Sequence, residues 1–368
     1  MRASVAKKDL LPAVMRAVSV ADKRSVVPIL SHVLLDFRES SLQLKATDLD
    51  HSLIEDVTAE VSTLGMVAVP AATLGDIVRK SSDAAMLEFS LTDKGNKLIV
   101  VAGKSKFELS TLDHKDFPEI APLKGACNFC VKSADLNKLI IRTKISISPE
   151  ESRHNLSGIF LQKEEDKLKA ASTDGHRLSV SEIGIDIKES IQGMIISKKT
   201  VFEIKKLLDL FQEEDVIVAF SVNQIQFTLG NITFISKLVD GVFPDYKRVI
   251  PEVSDNFFVV KRTDFLEIVD RVSVISDDKI RSVKLELTKN NLACYVANSK
   301  VGSGRDEVEV IYTGQGWSAG FNASYLLDMA QTVHGESLKV YVKESLAPIL
   351  ILDESEPESL FVIMPMRI

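Results

Sequence analysis

The chain has little of what marks several large classes of protein. Three cysteines in 368 residues exclude a disulfide-built scaffold. Seventeen glycines exclude a collagen-like repeat. No apolar run approaches the roughly 18 residues that a membrane-spanning helix needs. The opening MRASVAKKDL puts Lys7, Lys8 and Asp9 where a secretory signal would be apolar. A cytoplasmic location with no membrane partner is therefore expected, and the three thiols suit a reducing compartment. Positive charge is also scarce. Forty-five Lys and Arg against 52 Asp and Glu give a net charge of −7. That excludes a surface that is basic all round, though not basic residues gathered on one face. What is plentiful is ordinary. The 45% hydrophobic and 26% charged residues exclude a mostly disordered chain and can fill several cores. The length alone predicts two to three domains.

A repeat of about 125 residues runs through the sequence. Its clearest part is a helix opened by Asp9-Leu10, Asp135-Leu136 and Asp264-Phe265, each Asp being a good N-cap. The apolar positions match at i, i+3, i+4 and i+7, as one buried helix face requires. They are Leu10, Ala13, Val14 and Ala17, then Leu136, Leu139, Ile140 and Thr143, then Phe265, Ile268, Val269 and Val272. Arg16, Arg142 and Arg271 follow six residues after each anchor, on the polar flank at ~100° per residue. A second helix recurs with Leu74, Val201 and Leu326 matched, and an acid at Asp76, Glu203 and Asp328. Strand-like segments lie between, linked by short turns. Each repeat reads β, α, several β, α, several β. This predicts an α+β fold with antiparallel sheets and domains over 1–126, 127–254 and 255–368.

Catalytic patterns are thin. Gly302-Ser303-Gly304 lies between two strand patterns and reads as a hairpin turn rather than a phosphate loop. Cys127-Asn-Phe-Cys130 alternates like a strand, and one further cysteine, Cys294, cannot complete a four-ligand zinc site. Thr173-Asp174-Gly175-His176-Arg177-Leu178 offers a carboxylate and an imidazole. It also matches Ala46-Thr47-Asp48-Leu49, where a turn-forming Thr-Asp pair is the simpler reading. Basic residues are uneven: Lys132, Lys138, Arg142 and Lys144 crowd one helix, and Lys198, Lys199, Lys205 and Lys206 another. Such a division suits a protein that turns one face to nucleic acid, although a solvated helix face is the plainer alternative.

Several motifs carry a resemblance. Thr173-Asp174-Gly175-His176-Arg177-Leu178, the run from Ser236 to Gly241 into Phe243-Pro244-Asp245-Tyr246, Val27-Pro28-Ile29-Leu30, and the terminal Met364-Pro365-Met366-Arg367-Ile368 resemble the beta subunit of bacterial DNA polymerase III, the sliding clamp family, over the whole chain. The resemblance implies three clamp domains in a crescent, each of two helices plus antiparallel sheets, and two chains closing a ring around duplex DNA. It implies a polymerase processivity factor with no catalytic activity and no cofactor or metal. The implied partners are duplex DNA held without sequence preference, a second copy of the chain, the replicative polymerase subunit, a clamp loader, and other polymerases and repair proteins carrying a clamp-binding peptide.

The resemblance also implies residue roles. A partner-peptide cleft between the second and third domains would use Arg153, Leu156, Thr173, Gly175, His176, Arg177 and Leu178 from one side. Pro244, Arg248, Val249 and Pro348 would join them, with Val362, Ile363, Met364, Pro365, Met366 and Arg367 at the end of the chain. Leu, Val, Ile, Met and Pro would floor it, and Met adapts to varied partners. The DNA channel would carry Arg24, Lys138, Arg142, Lys198 and Lys199. The dimer interface would carry Phe107, Val274 and Ile275. The sequence departs from the better-known members at Glu150, His154, Asn155 and Pro348.

Size arithmetic agrees with two chains. A domain of ~125 residues is about 36 Å across; three such spheres in contact leave a hole of about 6 Å, and six leave about 36 Å. A duplex is roughly 20 Å wide. Two rival readings stand beside this one: a hydrolase using Asp174 and His176, and a multidomain binding protein that never meets DNA.

Overall fold

The computed structural model describes residues 1–92, 95–123, 127–150, 152–186, 191, 193–277 and 281–367. The boundary expected at 126 and the terminal Ile368 lie outside the described residues. Repeat one contains β1 (Arg2–Ala6), α1 (Lys7–Val20), β2 (His32–Phe37), β3 (Ser41–Thr47), β4 (His51–Thr58), β5 (Glu60–Thr63), β6 (Gly65–Pro70), α2 (Ala71–Lys80), β7 (Met86–Leu91), β8 (Lys97–Ala102) and β9 (Ser105–Ser110). Repeat two contains β10 (Cys127–Lys132), α3 (Ser133–Thr143), β11 (Gly158–Glu164), β12 (Lys167–Thr173), β13 (Arg177–Gly184), β14 (Met194–Ser197), α4 (Lys198–Leu210), β15 (Asp215–Phe220), β16 (Gln224–Leu229) and β17 (Ile232–Lys237). Repeat three contains β18 (Phe257–Lys261), α5 (Arg262–Ser273), β19 (Ser282–Thr288), β20 (Asn291–Asn298), β21 (Gly302–Glu309), β22 (Trp317–Asn322), α6 (Ala323–Thr332), β23 (Ser337–Tyr341), β24 (Ile349–Asp353) and β25 (Ser359–Ile363). The expected element order is observed in all three.

The helical periodicity translates directly into burial. Leu10, Ala13, Val14 and Ala17 are fully buried, as are their counterparts on α3 and α5. The aspartates need correcting. Asp9, Asp135 and Asp264 stand in the first helical turn rather than at the cap. Ala6 and Lys261, both extended, cap α1 and α5 without a side-chain bond. Each helix continues straight from a strand, so its cap is a strand residue. The acids act instead on the positive end of the helix dipole.

The chain folds as two compact units, one of Met1–Ser133 with Leu210–Leu238, the other of Ala134–Asp209 with Val239–Ile368. In the first, β10-β15-β16-β17-β4-β3-β2-β6 form one antiparallel sheet and β5-β1-β7-β8-β9 another. In the second, the orders are β14-β11-β12-β13-β25-β24-β23-β18 and β21-β20-β19-β22. Each eight-stranded sheet therefore draws four strands from each of two repeats. The seam is the last strand of one repeat against the third strand after the first helix of the repeat before it. Ile232↔Glu55 to Ser236↔His51 make the seam in the first unit, and Ser359↔Ser181 to Ile363↔Arg177 in the second. A hairpin does join β20 to β21, but its turn is residues 299–301; Gly302-Ser303-Gly304, expected to be the turn, is the start of β21 and pairs with Asn298, Ala297 and Val296. Cys127-Asn-Phe-Cys130 is strand, with both thiols exposed.

Candidate functional site

The β12–β13 turn is held by its own side chains. Thr173 Oγ1 donates to the Arg177 carbonyl at 2.7 Å and accepts from the Gly175 N–H at 3.1 Å. Asp174 Oδ1 accepts from the backbone of His176 and Arg177 at 2.9 and 3.0 Å. Gly175 takes φ +89°, a conformation that favours glycine. The Thr-Asp pair is thus a turn device, as its spacing suggests. It leaves the Asp174 carboxylate engaged by the turn's own N–H groups and by Arg177 Nε at 3.1 Å.

This turn forms one wall of a cavity of about 240 Å³. Leu178 and Val362, opposed in register across the β13–β25 seam, make its buried floor. Met364 donates its N–H to the His176 carbonyl at 2.8 Å, which holds its half-exposed side chain at the rim. The second wall is the connector from Pro244 to Val249, with Leu156 beside it. The lining is mainly apolar with a few polar groups at its edge, the make-up of a site for short apolar anchors.

Of the residues expected here, Leu156, Thr173, Gly175, Arg177, Leu178, Pro244, Val249, Val362 and Met364 do line the cavity. Asp245 and Tyr246 line it too and were not named, although both sit in the quoted Phe243-Pro244-Asp245-Tyr246 run. Burial pushes the Tyr246 phenol up, with the Glu164 charge adding to it, so the ring stays neutral. Arg153 lies at the edge and donates to the Asp174 carbonyl at 3.2 Å. His176 is exposed, and Arg248 points outward to Asp245 at 2.8 Å. Pro348 and Pro365 are half-buried and Arg367 exposed, none of them in the lining. Met366 instead bridges to Gly320 of β22, donating at 2.8 Å. Ile363 is a correction. It belongs to the core of repeat three, because strand alternation turns it away from its neighbour Val362.

Arg177 ties the cleft to α6. Its guanidinium donates to Asp328 at 2.7 Å and lies 4.3 Å over the Tyr325 ring.

Arg142 is a second correction. Its side chain is 1% exposed and cannot face solvent or DNA. It donates to the Thr332 carbonyl, to Glu356, and to Asp353 at 3.3 Å. Lys138, half-buried, pairs with Glu358 and with Glu356 at 3.8 Å. Arg24, Lys198 and Lys199 are exposed, the lysines opening α4. Phe107 on β9 is 37% exposed and Val274 is 82% exposed. Ile275 is half-buried against the core of repeat three.

Comparison with known proteins agrees with this architecture. Family models of the DNA polymerase III beta subunit match in three successive pieces: the N-terminal domain over residues 1–121, the central domain over 130–245 and the C-terminal domain over 247–367. The beta sliding clamp of Caulobacter vibrioides is 35% identical over 373 residues, covering all of both chains. A crystal structure of a DnaN sliding clamp from Bartonella birtlesii bound to griselimycin is 38% identical, with a TM-score of 0.95 over the full length of both. That from Pseudomonas aeruginosa bound to griselimycin is 32% identical, also at 0.95 and full length. Three α+β repeats sharing continuous sheets define a polymerase clamp, a processivity factor rather than an enzyme. The chain belongs to the DNA polymerase III beta subunit family, the beta sliding clamps.

Proposed function

We propose that two copies of the chain close head to tail into a ring around duplex DNA. In this reading the domains run over 1–126, 127–254 and 255–368, and the 240 Å³ cleft tethers the replicative polymerase and other partners by a short peptide. One observation carries the ring. The seam rule that builds both eight-stranded sheets pairs the last strand of a repeat with the third strand after the first helix of the preceding one. Applied once more, it pairs β9 with β21, and each of these is an edge strand of one of the two remaining sheets. A head-to-tail contact of this kind either closes or runs on into a filament.

The rule also fixes register. Phe107, Phe234 and Phe361 recur at intervals of 127 residues. Phe234 and Phe361 are 1% exposed and stand opposite Leu53 and Ser179 across their seams. The corresponding residue of β21 is Gly304, opposite Val296 as Leu53 is opposite Ala46 and Ser179 opposite Ser172. Phe107 of one protomer therefore lies against Gly304 of its partner. A Cβ at Gly304 would come within 3.1 Å of Ile275 Cδ1, so Phe107 also reaches Ile275. The same register sets Lys104 opposite Glu307.

Arg24, Lys198 and Lys199 face the duplex in this ring and read no base edges. Loading onto DNA requires a clamp loader, and the ring works in the cytoplasm. Retention on nicked circular DNA, with loss once the circle is linearised, tests encirclement. Equal retention on both forms would overturn it.

A further inference from the structure

The peptide cleft has one wall that belongs to no strand or α-helix. Residues Pro244 to Val249 are connector, with a single 3-10 turn over Tyr246–Val249. Such a segment needs an external support to keep its shape. One stripe of β11 supplies it. Phe160, Gln162 and Glu164 alternate along the strand, so they share a face. All three reach the connector. The Phe160 ring stacks on Phe243 with centroids 4.9 Å apart and planes 6° apart, and meets Tyr246 edge-on at 6.4 Å. Gln162 donates to the Tyr246 hydroxyl at 3.0 Å. Glu164 accepts from Lys247.

The position of the stack is fixed from below by Gly193. That residue has φ +90°, and a Cβ there would fall 2.6 Å from Phe160 Cζ and 2.7 Å from Cε2. Contacts that short do not occur, so any side chain must displace the ring. Phe160 lies outside the cavity, yet Tyr246, which it meets, and Pro244, next to its stacking partner Phe243, line it. We propose that Gly193 and the Phe160–Gln162–Glu164 stripe are positioning residues that set the width of the cleft and hence its affinity for peptide. This rests on the peptide reading of the cleft. The ligand chemistry it serves is a short peptide segment with bulky apolar side chains, which the mainly apolar lining suits.

The test uses the full-length dimer and a fluorescein-labelled hexapeptide carrying three large apolar residues, read by fluorescence anisotropy. Gly193→Ala should weaken binding about tenfold and Gln162→Ala about threefold, with dimer mass unchanged. Phe160→Leu removes the ring atoms that the new methyl would meet. Added to Gly193→Ala, it should leave binding within about threefold of Phe160→Leu alone, because only the strain of alanine at φ +90° then remains. A general loss of stability would make the two changes additive, which would overturn the proposal. Met364→Ala, on the rim, serves as the reference. Weak binding by Met364→Ala beside wild-type binding by Gly193→Ala sinks the positioning role alone. Wild-type binding by Met364→Ala removes the cleft reading and the proposal with it. If Gly193→Ala does not fold, Phe160→Leu and Gln162→Ala decide, and wild-type affinity in both refutes the role.

Discussion

Replacing Arg142 by methionine separates two accounts of the same residue. As a channel residue it would contribute to DNA binding and little to stability. As observed, it is a buried cation whose acceptors come from Thr332, Asp353 and Glu356, all in repeat three. Methionine keeps most of the length but removes the charge. Asp353, itself fully buried, then loses its cation, and Glu356 is left with Lys138 at 3.8 Å. Breaking a buried pair from one side costs about 3–5 kcal/mol, because the partner charge is left uncompensated. For a cooperative unit of about 200 residues this lowers Tm by roughly 6–20 °C. Thermal and urea melts of the variant measure it directly. Its binding to short duplex DNA at low salt should match that of the parent, whereas Lys198→Gln with Lys199→Gln should weaken that binding and leave Tm in place. Unchanged stability with weakened DNA binding in Arg142→Met would refute the buried-network account.

The pH dependence adds a second handle. Burial pushes the Asp353 carboxyl up, but hydrogen bonds from Ser355 and the His334 N–H, with the Arg142 charge, outweigh it and hold the group below its ordinary value. A carboxylate depressed in the folded state contributes stability above its unfolded pKa, near 3.9, and loses it as pH falls through the folded one. The stability gap between parent and Arg142→Met should therefore be full at neutral pH and shrink below about pH 4 as the carboxylates take protons. A gap that stayed constant down to pH 2 would mean that charge is not its cause.

Three further outcomes are expected. Phe107→Asp should yield monomers in sedimentation velocity, since the seam would bury an unpaired carboxylate; Val274→Asp with Ile275→Asp should do the same, at an added cost in stability because Ile275 also packs on the core. A persistent dimer in Phe107→Asp would remove β9 from the interface. Deleting residues 364–368 should abolish peptide binding at a labelled probe while the dimer stays folded, since it removes Met364 from the rim, a side chain worth up to roughly 1.5–3 kcal/mol if a peptide covers it fully; full-strength binding by the truncated chain would exclude the C-terminus from the site. Thiol titration of the native protein at pH 8 should modify Cys127 and Cys130 quickly and Cys294 only on unfolding, because burial pushes the Cys294 thiol up to about 12; three equal rates would contradict that burial.

The sequence carried the elements better than their ends, and the local contacts better than the distant ones. The apolar faces of α1, α3 and α5 were legible because a 3.6-residue period fixes which side chains share a side. The caps were misread because strand and helix join without a turn, so Asp9, Asp135 and Asp264 stand inside the helix. Arg142 was assigned to the channel by the resemblance, and its angle on the helix says nothing of what covers that flank. Asp353 and Glu356 lie 211 and 214 residues further along, and no local pattern links them to it. Ile363 could have been excluded by strand alternation alone, once Val362 was assigned to the cleft. The 127-residue spacing of Phe107, Phe234 and Phe361 was present in the sequence but gained meaning only when the seams showed two of the three buried.

The repeats also explain why a turn that recurs need not carry the same function. Thr47-Asp48 in repeat one makes the same bonds as Thr173-Asp174: Thr47 Oγ1 donates to the His51 carbonyl at 2.8 Å, and Asp48 Oδ1 accepts from the His51 N–H at 2.6 Å. Leu49 even takes φ +76° where Gly175 takes +89°, and its exposed side chain accepts that strain. The seams match as well, with Ser52 opposite Ile235 where Leu178 stands opposite Val362. What differs is the floor chemistry. Ser52 replaces Leu178, and Lys237, paired with Asp50 at 3.0 Å, replaces Met364. A hydroxyl and an ion pair keep their water, whereas leucine and methionine gain by losing it, each at roughly 1.5–3 kcal/mol when fully covered. The inherited backbone therefore specifies where a cleft can stand, and two side chains decide that the second repeat, not the first, presents an apolar floor to a ligand.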